Sequence, residues 1–157
     1  MKKALGIVVS IVVCELAGII GSLFTTPSIP GWYAGLAKPS FNPPGWVFAP
    51  VWIALYAMMG LAAWLVYERG SQRPEVKKAL TVFTVQLLLN TLWSIVFFGA
   101  HQLFGAVVVI VLLWAMILWT ILLFRRLSQA AAWLLVPYIL WVSFATVLTV
   151  SIYVLNR

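Results

Sequence analysis

Five stretches of the chain are apolar almost without interruption: Ala4 to Phe24, Gly45 to Tyr67, Ala79 to Gly99, Phe104 to Phe124 and Ala131 to Leu155. A hydrocarbon core of about 30 Å, at about 1.5 Å rise per residue, needs roughly 20 apolar residues per helix, so each stretch is long enough to cross a bilayer. None alternates polar and apolar positions as the strands of an outer-membrane barrel do. The pattern predicts an all-α integral membrane protein, one domain over residues 1–157, with five transmembrane helices in a single bundle. No internal repeat or low-complexity tract is visible, so an inverted-repeat transporter is unsupported.

The first stretch opens behind Lys2 and Lys3, which imitates a secretory signal. It is read as a retained helix, because it is longer than a signal's apolar segment, carries Glu15 and is followed by no Ala-x-Ala-like site.

Composition agrees with the pattern. With 64% hydrophobic and 8% charged residues, the chain has too little polar surface to cover a soluble globule, and its mean hydropathy is +1.09. The cations are unevenly placed: Lys2, Lys3, Arg69, Arg73, Lys77, Lys78, Arg125 and Arg126 fall on one side of the predicted bundle, and only Lys38 and Arg157 on the other. The positive-inside rule then puts the N-terminus in the cytoplasm of what is expected to be a bacterial cytoplasmic membrane. That topology and anionic headgroups account for the net charge of +7, and nucleic acid is not an expected partner. The single cysteine, Cys14, excludes an intramolecular disulfide and a cysteine-based metal site.

Between the first two spans, Thr25 to Pro44 contains Pro27, Pro30, Pro39, Pro43 and Pro44, which predicts a stiff, non-helical loop. Trp32, Tyr33, Phe41 and Trp46 give this loop large apolar faces. It is expected either to fold over the bundle mouth as a lid, with Lys38 at the rim, or to lie at the headgroups as an aromatic belt. Deeper polar groups favour the lid. Gln86, Asn90, Trp93, Ser94 and Phe97 share one face of the third helix at spacings of three and four. Tyr138, Trp141, Ala145 and Leu148 form a second stripe on the fifth helix, which Pro137 is expected to kink, and Trp52 and Tyr56 stand one turn apart on the second. Each buried amide has an ordinary reading as an interhelical hydrogen bond. Taken together, aromatic faces, a few convergent polar groups and a lid describe a site for a flat, mostly apolar ligand.

The blocks WYAGLAKPSFNPPGWVFAPVWIALY, QLLLNTLWSIVFFG and PYILWVSFA resemble the signature blocks of the TspO/MBR family of tryptophan-rich sensory proteins, across essentially the whole chain. The resemblance implies a five-helix bundle, usually dimeric, that binds porphyrins such as protoporphyrin IX and other haem-pathway tetrapyrroles, and in animals cholesterol. It implies no intrinsic cofactor, a homodimer, and contacts with membrane lipid and sterol-like molecules. The family's pocket positions correspond here to Tyr33, Trp52, Tyr56, Asn90, Trp93, Ser94, Phe97, Trp141 and Ala145. Leu148 continues the fifth-helix stripe, and Ser22 on the first helix is near enough to the expected mouth to touch a ligand. Two departures stand out: Leu148, Thr149 and Val150 replace the sterol-recognition run of animal relatives, leaving only a looser Leu148, Tyr153, Arg157 pattern, and His101 stands where relatives often carry Arg.

Glu15 is the one acid well inside a span, with no second acid to form a proton relay, and is expected to bond another helix. His101 is expected at the membrane edge. Ala17, Gly18, Gly21 and Ser22 make two small-xxx-small pairs, suited to packing within the bundle or to a dimer seam. Without a nucleophile–base pair, nucleotide loop or paired carboxylates, ordinary catalysis is unsupported. Three readings remain: a tetrapyrrole receptor or transporter, a light-dependent porphyrin-degrading enzyme using Trp52 or Trp141, and a structural assembly protein.

Overall fold

The computed structural model describes residues 2–157. Helix α1 runs over Lys2–Ser28 and continues as a π-helical turn, Ile29–Tyr33. After a short loop, a single 3-10 turn at Gly45–Val47 leads into α2, Phe48–Tyr67. Helix α3 spans Pro74–Ser94 and also ends in a π-helical turn, Ile95–Gly99; α4 spans Leu103–Leu127. The fifth crossing is divided into α5, Gln129–Leu134, and α6, Val136–Leu155. All five crossings are long and apolar enough to span a membrane, so this is an integral membrane protein.

The expected proline loop is corrected at its start. Thr25–Tyr33 is helical, and the loop proper begins only after Gly35. A proline deletes one N–H donor and crowds the carbonyl four residues back, but in lipid an unwound backbone leaves more groups unsatisfied than a distorted helix does. Hydroxyls and a wider turn absorb the distortion here. Thr25 Oγ1 donates to the Gly21 carbonyl at 3.1 Å, Ser28 Oγ donates across to the Phe98 carbonyl at 2.7 Å, and past Pro30 the Ala34 amide reaches five residues back to Ile29. The third crossing also starts earlier than Ala79, at Pro74, because hydropathy reads the apolar span and not the helix. Pro74 fits a first turn that needs no donor there, and Glu75 beside it favours the helix N-terminus. The break expected near Pro137 falls at Leu135, with Pro137 in the first turn of α6.

Helix α1 packs on α2 and α3, α4 lies between α3 and α6, and α5 reaches both α2 and α4. Close approach of α1 and α2 depends on Gly60: a Cβ there would stand 2.5 Å from Ile11 Cα, and Ser10 Oγ donates to the Gly60 carbonyl at 2.7 Å. Gly18 lets the Tyr56 ring lie against α1, and Gly21 lies beside Ser94. Thr91 Oγ1 donates to the Ala17 carbonyl at 3.1 Å. Ala17, Gly18 and Gly21 therefore serve packing inside the bundle, while the opposite face of α1 is a bare apolar surface including Val12, Leu16, Ile19 and Leu23. The start of α1, the end of α2, the start of α3 and the end of α4 meet at one basic end, where Lys3 Nζ lies 3.2 Å from Glu68.

Candidate functional site

The deepest part of the site is a hydrogen-bonded chain across three crossings. Tyr56 on α2 donates to Asn90 Oδ1 at 3.1 Å. Asn90 Nδ2 donates to the Tyr138 phenol at 2.7 Å, and Tyr138 in turn donates to Gln86 Oε1 at 2.7 Å. Gln86 Nε2 ends the chain at Met59 Sδ, 3.9 Å away. All four polar side chains are buried. Four-residue spacing places Gln86 and Asn90 on one face of α3, as the sequence predicts, and that face looks at Tyr56 and Tyr138. The arrangement satisfies groups that lipid would penalise, and it ties α2, α3 and α6 in one register.

Above this polar floor, aromatic rings accumulate toward the tip of α1. Trp52 tilts over Tyr56 with centroids 5.6 Å apart and meets Tyr138 edge-on at 6.4 Å. Trp93 stacks on Phe97 at 5.1 Å. Trp32, from the π-helical tip, meets Phe97 at 5.3 Å and stacks on His101 at 4.3 Å. On the other side, Trp141 lies 6.0 Å from Phe48 and 5.6 Å from Phe144, which also meets Phe41 from the loop. Phe97 and Leu148 are buried, whereas Trp52, Trp93, Ser94, Trp141 and Ala145 are half-buried and keep part of their surface free. The indole N–H of Trp93 is itself covered and has no hydrogen-bond partner among the described residues.

The loop that follows α1 is held by specific bonds. Lys38 Nζ donates to the carbonyls of Tyr33 at 2.8 Å, Leu36 at 2.8 Å and Ala34 at 3.2 Å, closing the end of α1, and stands 5.0 Å from the Tyr33 ring centroid. Tyr33 donates to Asn42 Oδ1 at 2.8 Å. Asn156 accepts from the Ala37 amide at 2.9 Å and donates to the Ala37 carbonyl at 2.8 Å. Pro39, Pro43 and Pro44 lie in the non-helical segment between these anchors. His101 adopts φ 56, a left-handed conformation that turns the chain sharply from α3 into α4.

Of the sequence-predicted residues, Tyr33, Phe97 and Leu148 fall in one hydrophobic cluster and Trp52, Tyr56, Trp141 and Ala145 in another, with Trp93 packed against both. Asn90 bonds Tyr56 and Tyr138, and Ser94 lies beside Gly21 of α1. Ser22 is exposed and donates to the Ile19 carbonyl of its own helix at 2.7 Å. Glu15, expected to bond another helix, is half-buried and makes no hydrogen bond among the described residues. Sequence reasoning missed Phe48, Phe144, Asn42 and Asn156. Phe48 is one turn before Trp52 and Phe144 three residues after Trp141, so helical spacing alone could have found both. No cluster of three or more His, Cys, Asp or Glu suited to a metal ion occurs among the described residues.

Residues 10–155 match the model of the TspO/MBR family. The chain is 44% identical over 155 residues to the tryptophan-rich protein TspO of Chlorobaculum tepidum, covering 99% of this chain and 98% of that relative. It is 41% identical to the tryptophan-rich protein TspO of Archaeoglobus fulgidus, over 97% of each chain. It is also 39% identical to the translocator protein of Homo sapiens, over 88% of this chain and 83% of that relative.

Proposed function

The chain belongs to the TspO/MBR family, and on that premise we propose that it is a membrane receptor that holds a porphyrin or similar flat tetrapyrrole among the rings below its lid. Its membrane is the bacterial cytoplasmic membrane, with the basic end of the bundle inside and the lid outside. The observation that carries this reading is the surround of Trp93. Its indole N–H is buried without a partner among the described residues, its ring packs on Phe97 and Phe98, and half-buried Trp52 on α2 and Trp141 on α6 pack against the same core cluster as Trp93.

Ring faces at this spacing hold a planar π-system by stacking, and apolar walls exclude the water that would compete for it. The covered Trp93 N–H gains a peripheral acceptor of the ligand, such as a carboxylate or carbonyl oxygen, once the rings over it shift on binding. Asn90 and Gln86 act beneath the ligand, keeping Tyr56 and Tyr138 fixed so that Trp52 has a rigid support. Tyr33, Trp32 and the segment with Pro39, Pro43 and Pro44 close the mouth.

The test is saturable quenching of intrinsic tryptophan fluorescence by protoporphyrin IX in detergent. Wild type should saturate, Trp141→Ala should lose the saturable phase, and Trp93→Phe, which keeps a ring and removes the N–H, should weaken binding about five- to ten-fold. Equal, non-saturating quenching in all three would mean that porphyrin only partitions into the micelle, and the receptor reading would fall.

A further inference from the structure

At the basic end, remote from the aromatic mouth, a groove of about 620 Å³ opens between α1, α2 and α3. Its walls are Val9 and Val13 on α1, Trp64 on α2 and Leu80 and Phe83 on α3. The two hydroxyls within its walls are already engaged, Ser10 donating to Gly60 at 2.7 Å and Thr84 to Leu80 at 2.9 Å, and the remaining one belongs to Tyr67 at its exposed end. An apolar chain therefore suits the groove better than a polar ligand does. The absence of a side chain at Gly6 makes room for the Trp64 ring, which stacks on Tyr67 at 5.4 Å. Trp64 Nε1 is buried and has no partner among the described residues.

The lip of the groove is cationic. Lys3 stands one turn before Gly6 and two before Ser10 on the same face of α1, and Lys77 is one turn before Leu80 and two before Thr84 on α3. One acid, Glu68, pairs with Lys3 at 3.2 Å, which leaves the lip net positive. Tyr67 lies at the same level, 47% exposed. Apolar walls, an interfacial tyrosine and a positive rim reproduce in order the parts of a phospholipid: acyl chain, glycerol ester and phosphate.

We propose that this groove binds one anionic phospholipid, with an acyl chain along Val9, Val13 and Phe83, its ester level at Trp64 and Tyr67, and its phosphate against Lys3 and Lys77. This site is independent of the porphyrin reading, since it shares no residue with the aromatic mouth.

The test reconstitutes the full chain in phosphatidylcholine vesicles doped with acyl-brominated phosphatidylglycerol or acyl-brominated phosphatidylcholine, and reads tryptophan quenching against mole fraction. Bromine quenches only rings it touches, so Trp64→Phe identifies the contribution from the groove. Brominated phosphatidylglycerol should quench a saturable, Trp64-dependent component at a mole fraction lower by about five-fold per lysine than the choline lipid needs. Lys3→Ala with Lys77→Ala should erase that preference, and Arg125→Ala with Arg126→Ala, at the same end but away from the groove, should keep it. Equal quenching by both lipids would reduce the groove to bulk lipid contact. Loss of the preference in both double variants would make it diffuse attraction, and no Trp64-dependent quenching by either lipid would mean that another body, such as a second copy, covers the groove. Each of these three results overturns the proposal. The two double variants change only surface cations, so the comparison stands even if Trp64→Phe folds poorly.

Discussion

The side-chain amide of Asn156 closes on the backbone of Ala37 from both sides, accepting from its N–H at 2.9 Å and donating to its carbonyl at 2.8 Å. The same Nδ2 also reaches the Ile152 carbonyl of its own helix at 2.8 Å, which fixes the amide plane. The loop that follows α1 is thereby hydrogen-bonded to the end of α6 through one residue, beside the Phe41–Phe144 ring contact.

Asn156→Ala should loosen this loop without disturbing the bundle. Loss of bonds worth about 1 kcal/mol or more is expected to speed hydrogen exchange at the Ala37 amide about ten-fold, with amides of α2 to α4 unchanged. Site-resolved exchange measured by mass spectrometry or NMR in detergent checks this.

Lys38→Met keeps the length of the side chain and removes the cation that three carbonyls share. The tip of α1 should fray, exposing Trp32 and Tyr33, because helix-end carbonyls in an apolar setting need a donor. Increased acrylamide quenching of tryptophan, with the rest of the helical signal intact by circular dichroism, is the expected result.

Tyr138→Phe should destabilise more than Tyr56→Phe. Tyr138 both accepts from Asn90 and donates to Gln86, so its loss orphans two buried groups, whereas Tyr56 only donates to Asn90. A difference of about 1 kcal/mol is expected, at the upper part of the range for hydrogen bonds inside membrane bundles. Thermal unfolding of the two variants in one detergent measures it.

Gly60→Ala should cost about 1–3 kcal/mol, since its Cβ would meet Ile11 Cα at 2.5 Å and backbone cannot rotate away as a side chain can. The same change at Gly45, around which a Cβ meets nothing, should be close to neutral. Paired melting curves test the contrast.

Much of this architecture was legible in the chain because membrane helices announce themselves by length and their inner faces by spacing. Periodicity alone pairs Trp52 with Tyr56, Asn90 with Trp93 and Trp141 with Ala145, and in the fold Tyr56 bonds Asn90 while Trp52, Trp93, Trp141 and Ala145 pack against one core cluster. The continuation of α1 through Pro27 and Pro30 was not legible, because the usual weight given to proline supposes that water will satisfy an opened backbone. The Asn156 bonds to Ala37 were hidden for a different reason: partners 119 positions apart leave no local pattern. Asn90 was read with two possible uses, and the structure supplies it with Tyr56 and Tyr138 as partners.

The uninterrupted first helix joins its aromatic tip to the thickness of the bilayer. Lys3 to Tyr33 is 31 residues, a rod of about 46 Å set in a hydrocarbon layer of about 30 Å. Such a mismatch is relieved by tilt or by protrusion, and both move Trp32 and Tyr33, which ride on the far end of the same rod. Lipids with longer or shorter chains will therefore reset the height of these rings against α3 and α6, so that the membrane's own composition becomes an input to the proposed site.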